Sequence, residues 1–223
     1  TYTNLGTFSA KQGRPGESVE YYEKSVKHFK RLTDSHPQIA AYPKHAIDSL
    51  VSIAQLEPFT KKGQDAVETT VELYSRLLQA RPESRAYRRL LTLYSAFLPG
   101  VEPKQLLELS DPFSVERDPN SDELTVRALA LYRSGRVQEA ADHLQAIPAK
   151  QVDQRAQLLS VMVLADQDDE RAVNQYAKVK RSIAKKKYPD YEILVLAKEA
   201  DTRLAAMAHR QAILESQGSV DDE

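Results

Sequence analysis

Residues 124–147 read LTVRALALYRSGRVQEAADHLQAI, and the spacing inside this stretch decides the fold class. Leu129 and Tyr132, then Ala140, Leu144 and Ile147, recur at three- and four-residue steps on either side of Ser134-Gly135. That period belongs to helices with one buried face, whereas a half-buried strand would alternate every second residue. The glycine between the two stripes marks a tight turn, so the stretch reads as a helical hairpin. Matching Gly13 to Gly135 places Ser18 on Ala140, a small residue five positions beyond each glycine, and Tyr22 on Leu144 four positions further. Val71, Tyr74, Leu77 and Leu78 carry the same helical period, and Ala172 precedes Tyr176 by four. No long alternation of β-branched and polar residues lies between turn signals, so an all-α fold is expected.

Helix punctuation extends the reading outward. A first helix runs to about Gln12, where Gly13-Arg14-Pro15-Gly16 breaks it, and a second spans Glu17 to about Asp34, before His36-Pro37. Further helices are predicted over 38–57, 64–80, 84–97, 103–109, 121–134, 137–147, 152–165, 170–186 and 190–216, with proline, glycine or polar clusters between them. Ser110 to Asn120, holding Pro112 and Pro119, reads as a loop, and 218–223 as a flexible acidic tail. Paired in order, these helices give hairpins at about 1–37, 38–82, 83–120, 121–148 and 149–187, followed by a long capping helix at 188–217. Repeated hairpins that cannot bury their faces alone predict a single solenoid domain over 1–217.

Composition removes several function classes. The chain has 223 residues, 41% hydrophobic and 28% charged, enough apolar surface for a folded core. With no cysteine it forms no disulfide, thiolate metal site or cysteine nucleophile. Lys+Arg 31 against Asp+Glu 32 gives no net field with which the whole chain could grip nucleic acid or anionic lipid. No apolar run approaches the roughly 20 residues that span a bilayer, so no membrane insertion is expected. The sequence opens on Thr1 without Met, which predicts a piece of a longer protein whose targeting or transmembrane segments lie elsewhere; a cytoplasmic location is the expectation for the piece itself.

At this point the residues resemble the tetratricopeptide repeat family. Its unit has an aromatic, a Leu-Gly pair, a turn glycine, a small residue, a second aromatic, another small residue and a closing proline. Tyr2, Leu5-Gly6, Gly13, Ser18, Tyr22 and Ser25 follow this order in the first unit, as do Ala128, Gly135 and Ala140 in the fourth. The resemblance implies a right-handed superhelix in which Gly6, Ala128, Ala140 and Ala172 let paired helices approach, while Tyr22, Tyr74 and Tyr176 fill the gaps between successive pairs. Three departures stand out: an overlong second helix in the first unit, an enlarged turn at Thr60 to Gln64, and a stunted second helix in the third unit. A narrower likeness is to the arrays attached to bacterial serine/threonine protein kinases of the planctomycete type. It rests on the opening Leu5-Gly6 to Tyr22, on 36–42, on 127–136 and on 192–200. The sequence holds no glycine-rich phosphate loop, no His-Arg-Asp and no Asp-Phe-Gly, so this likeness implies a kinase neighbour and not an activity.

No chemistry-bearing constellation emerges. The five histidines lack metal-ligand spacing, Asp168-Asp169-Glu170 reads as a helix-capping cluster, and no serine sits in a nucleophile elbow. No catalytic, metal or cofactor residues are therefore assigned, and no enzyme activity is expected within the chain. The function read from the resemblance is binding of a peptide or helix in a concave groove lined by the first helix of each hairpin. Its outward positions are Thr3, Thr7, Gln55, Arg89, Thr125, Tyr132, Arg133 and Gln157. Thr3 and Thr7 stand where chaperone-binding relatives carry a carboxylate clamp, which speaks against that specificity. Lys178, Arg181, Lys185, Lys186 and Lys187, with Lys180, form the one basic concentration. They read as a solvated helix end complementing the dipole, with a nucleic-acid or acidic-partner patch as the alternative. Self-assembly through the third unit or the terminal helix, and a regulatory or substrate-recruiting role within a larger kinase, are the other readings.

Overall fold

The computed structural model describes residues 2–114 and 118–218, and among them the protein is all-α, with eleven α-helices and no strand. The helices are α1 (Tyr2–Lys11), α2 (Pro15–Ser35), α3 (Ala41–Leu56), α4 (Lys61–Ala80), α5 (Arg85–Ser95), α6 (Pro103–Ser110), α7 (Ser121–Arg133), α8 (Val137–Gln145), α9 (Gln154–Asp166), α10 (Arg171–Ile183) and α11 (Tyr191–Gly218). Every predicted helix is present, and most ends fall within a few residues of their expected places. The tail beyond 218 lies outside the described residues. Gly13 and Gly135, superposed in the sequence, both adopt left-handed backbone (φ 76° and 75°) at the turn of their hairpins.

Contacts divide the chain into two compact units, Thr1–Val101 and Glu102–Glu223. The predicted hairpin 83–120 is split by this boundary, with α5 in the first unit and α6 in the second. In the first unit α2 packs between α1 and α3, and α4 between α3 and α5. Its interior is built from Val19, Tyr22, Ile47, Leu50, Ile53, Val67, Leu73, Tyr74 and Leu91, all buried. In the second unit α7 is flanked by α6, α8 and α9, and α9 by α7, α8, α10 and α11. Both central helices carry apolar residues around most of their circumference, as Ala128 to Leu131 and Leu158 to Val163 record, and such helices belong in an interior.

Small residues do set the close approaches. Ser18 Oγ donates to the Gly6 carbonyl at 2.7 Å, and Ala128, Ala140 and Ala172 have no exposed surface. Tyr74 stacks on Tyr94 with ring centroids 6.1 Å apart, joining α4 to α5, and Tyr176 donates to the Ala197 carbonyl of α11 at 3.0 Å. Tyr22 behaves differently: its ring fills the space over Gly6 inside its own hairpin, and its hydroxyl lies 3.1 Å from Thr7 Oγ1.

Several details differ from expectation, three of them for a visible local reason. Helix α4 starts at Lys61 and not at Gln64, because the Thr60 hydroxyl accepts from Gly63 N–H and absorbs the enlarged turn into the first helical turn. Asn120, one residue before the predicted cap, starts α7 through reciprocal bonds with Glu123, the capping-box arrangement. The expected loop from 110 contains a 3-10 turn, Asp111–Phe113, with Phe113 wholly buried. Arg127 of α7 anchors that turn by donating to Leu107 O (2.9 Å) and Ser110 Oγ (2.8 Å), which satisfies an end carbonyl of α6.

Two glycines are packed to the limit. A Cβ at Gly63 would stand 2.0 Å from the Glu57 carbonyl oxygen, and one at Gly6 would stand 2.8 Å from the Tyr22 ring. The obstacle at Gly63 is backbone, while the obstacle at Gly6 is a ring that can turn. Alanine gains about 1 kcal/mol of helix propensity at either site. Gly63→Ala is expected to lower stability by about 1–3 kcal/mol and Gly6→Ala by distinctly less, as read from urea unfolding followed by circular dichroism. Equal effects would mean that Tyr22 is as immovable as the Glu57 backbone.

Candidate functional site

The predicted partner-binding residues fall into both units, and within the second unit the geometry explains what they do. Helices α7, α9 and α11 run in the same direction. Near their starts, Arg155 of α9 reaches Asp122 of α7 at 2.9 Å and Glu192 of α11 at 4.0 Å, besides Asp153 at 2.7 Å. Near the ends of α7 and α9, Tyr132 donates to Asp166 Oδ2 at 2.6 Å, and Asp166 in turn pairs with Arg203 of α11 at 3.3 Å. The Arg203 guanidinium also lies 5.8 Å from the centre of the Tyr132 ring. Arg133 pairs with Glu199 of α11 at 2.6 Å, and Arg210 donates to the Ala165 carbonyl at 2.9 Å and binds Asp168. Beside these polar pairs, Leu196, Ala200 and Met207 of α11 are buried, Met207 against Ala165 and Ala172.

Tyr132 and Arg133 therefore do not face an open groove: the protein's own terminal helix holds both. Burial, reinforced by the hydrogen bond to Asp166, pushes the Tyr132 hydroxyl well above the ordinary tyrosine range and keeps it a donor. Burial opposes the charge on Arg155, but Asp153, Asp122 and Glu192 around it outweigh that cost and raise its pKa. Glu192 is raised too, chiefly by burial, with Arg155 only partly offsetting it. The pair Arg133–Glu199 leaves two buried atoms, Arg133 Nε and Glu199 Oε2, without a hydrogen-bond partner, so it is a single-contact ion pair in a half-dry setting.

The remaining predicted residues are placed variously. Thr125 is interior and donates to Ser121 O within its own helix, so its outward placement is corrected: α7 is enclosed all round at this level, Leu124 and Val126 on either side of Thr125 being buried too. Gln157 is half-buried on α9. In the first unit Thr3 joins a hydroxyl cluster with Ser25 (2.8 Å) and Ser49 (3.5 Å), which ties α1 to α2 and α3. Thr7 is exposed, and Gln55 and Arg89 are half-buried on α3 and α5. The basic concentration also divides. Helix α10 ends at Ile183, so Lys185, Lys186 and Lys187 follow it in the connection to α11 and do not form its last turn. Lys186 pairs with Asp190 at 3.6 Å and Lys187 lies over the Tyr188 ring. On α10 itself Arg181 donates to Ala177 O, Lys180 reaches Asp201 at 3.2 Å, and Lys178 is exposed. Among the predicted capping residues, Asp169 accepts from Arg171 N–H at 2.9 Å at the start of α10, while Asp168 is given over to Arg210.

The residues that sequence reasoning missed are Glu192, Glu199, Arg203 and Arg210. They follow one another at steps of seven, four and seven, which places them on one stripe of α11 and was the available signal. Among the described residues no cluster of three or more His, Asp or Glu could hold a metal ion, and no helix is long and apolar enough to cross a membrane. No family model matches the chain, and no curated protein matches it.

Truncating one member of the half-buried pair strands the other. Arg133→Ala is expected to cost about 2–4 kcal/mol in urea unfolding, and the double variant with Glu199→Ala less than the sum of the single ones. Additive single effects would show that the two groups do not interact. Glu192 gives a pH signature with a definite sign. Its folded pKa lies above the ordinary 4.5, so its burial cost is present above the folded pKa and vanishes as pH falls below the unfolded value. Glu192→Gln is expected to raise the Tm at pH 7 by about 2–4 °C and to leave it unchanged near pH 3. A loss of Tm at pH 7 would mean that attraction to Arg155 outweighs burial.

Proposed function

We propose that this protein is an interaction scaffold of the tetratricopeptide repeat kind, a right-handed solenoid of helical hairpins without catalytic chemistry of its own. It binds a partner's peptide or helix on the face formed by the first helices of its hairpins. The observation that carries this reading is α11: along α9 and α7 it lies as a helix held by an apolar stripe beside one row of charged pairs. A face that accepts a helix in this way is suited to helix or peptide recognition. Because α11 takes that face in the second unit, partner binding falls to the first unit, where Thr7, Gln55 and Arg89 stand on first helices. Arg89 supplies the cation for an acidic group on the partner.

Photo-crosslinking from position 89 in cell extract, followed by affinity measurement with the captured protein, tests this. Arg89→Glu is expected to weaken binding by about tenfold or more, equivalent to 1.4 kcal/mol, with an unchanged helical spectrum. Arg133→Glu is expected to lower the Tm and to leave that affinity alone. An affinity insensitive to Arg89→Glu would remove the first-unit face from consideration.

A further inference from the structure

Helix α1 turns small residues inward and large apolar residues outward. Its inward side carries Gly6 and Ser9, both buried, while its large apolar side chains Tyr2, Leu5 and Phe8 are 47%, 45% and 55% exposed. Among the helices of its unit, α2, α3 and α4 are each covered on two sides, whereas α1 packs mainly on α2 and touches α3 through Thr3. Thr3 and Thr7 turn toward Ser49 and Tyr22, so Leu5 and Phe8 open on the flank away from α3. On that flank Tyr2 and Leu5 meet Ser25, His28 and Phe29 of α2 around a hollow of 340 Å³, room for a large apolar side chain.

The side chains nearest the rim of the hollow are mostly cationic. Lys24, His28 and Arg31 follow at steps of four and three on α2 and are all exposed, so they form a single stripe along its rim. Lys24 sits over the Tyr21 ring, 5.3 Å from its centre, on the same flank. Of the carboxylates on α2, Glu17 is bound by Arg14 at 2.6 Å and Glu23 by Lys62 at 2.9 Å, and the exposed Glu20, one turn before Lys24, lies further round toward Lys62, whose pKa it helps to raise. Helix α1 contributes no carboxylate and ends on Lys11. An apolar stripe with a cationic border selects a helix whose own apolar stripe has an anionic border. A second copy of α1 fits poorly, since it would bring only cations to this border. Three half-exposed side chains per copy also fall well short of the roughly 800 Å² per partner of a stable interface.

We propose that the open flank of α1 and α2 is a docking site for an amphipathic helix of a partner protein, with apolar residues at three- and four-residue steps and Asp or Glu along one edge. Leu5 and Phe8 receive the apolar stripe, the hollow beside Tyr2 and His28 takes one large side chain, and Lys24 and Arg31 pair with the acidic edge. This site is separate from the first-helix face around Arg89 and does not rest on that reading.

Two synthetic helical peptides test it against the whole chain by fluorescence anisotropy. Both carry leucines at three- and four-residue steps, one with glutamates along the edge and the other with lysines. The glutamate peptide is expected to bind at least about tenfold tighter, with the difference shrinking as salt is raised. Leu5→Glu and Phe8→Glu, at exposed positions, are expected to abolish binding without loss of helical signal. In Lys24→Glu/Arg31→Glu the preference is expected to reverse toward the lysine peptide, an outcome that a folding defect would not produce. Equal affinity for both peptides, or binding that survives Leu5→Glu and Phe8→Glu, overturns the proposal. So does concentration-dependent self-association, seen in sedimentation and lost in Phe8→Glu, because a second copy would then occupy the face.

Discussion

Helix α9 has apolar side chains on nearly every side, and a helix of that kind is stable in water only when other helices enclose it. Leu158, Leu159, Val161, Met162 and Ala165 are all essentially without exposed surface, and no single neighbour could achieve this. α8 and α10 cover two sides and α11 a third. The terminal helix is thus part of the interior of the second unit. That requirement fixes its direction and register, and the charged stripe Glu192, Glu199, Arg203 and Arg210 then meets Arg155, Arg133, Asp166 and Asp168.

The two kinds of contact along α11 do different work. Burial of Leu196, Ala200 and Met207 is non-directional and sets the strength of docking. The ion pairs are directional: a helix slid by one turn would keep much of its apolar contact but would leave Glu199 without Arg133 and Arg203 without Asp166. Half-buried pairs of this type add little net stability, yet they penalise every wrong register by leaving a charge in a poorly solvated place.

The hairpin order of the chain was legible because its signals are local. Gly13 and Gly135 need left-handed backbone, prolines stop helices, and the three- and four-residue steps hold in nearly every helix; these act over a few residues and do not depend on tertiary context. Boundaries moved where a side chain outside the expected helix supplied a cap, as Thr60 and Asn120 do. The candidate site was less legible. Reading Tyr132 and Arg133 as outward positions of α7 follows from the repeat alignment and carries no information on their neighbours. Whether those positions are open depends on where a helix some 60 residues later in the sequence comes to rest, and periodicity carries no such information. Thr125 failed for a related reason: a threonine can bond back to its own helix and then behaves as an apolar residue.

If the first helices form the proposed recognition face, α11 fills part of it and narrows where recognition can occur. In the second unit Arg133 is held by Glu199 of α11 and Tyr132 by Asp166 of α9, which itself pairs with Arg203 of α11, and displacing α11 would expose the enclosed side of α9. In the first unit the corresponding groups stand on α3 and α5, while α1 turns its largest apolar residues outward beside a row of cations. Near-zero net charge therefore hides a division of labour: opposite charges pair inside the second unit to hold α11, while on α2, which carries four acids and four bases in all, Lys24 and Arg31 stand exposed on one stripe.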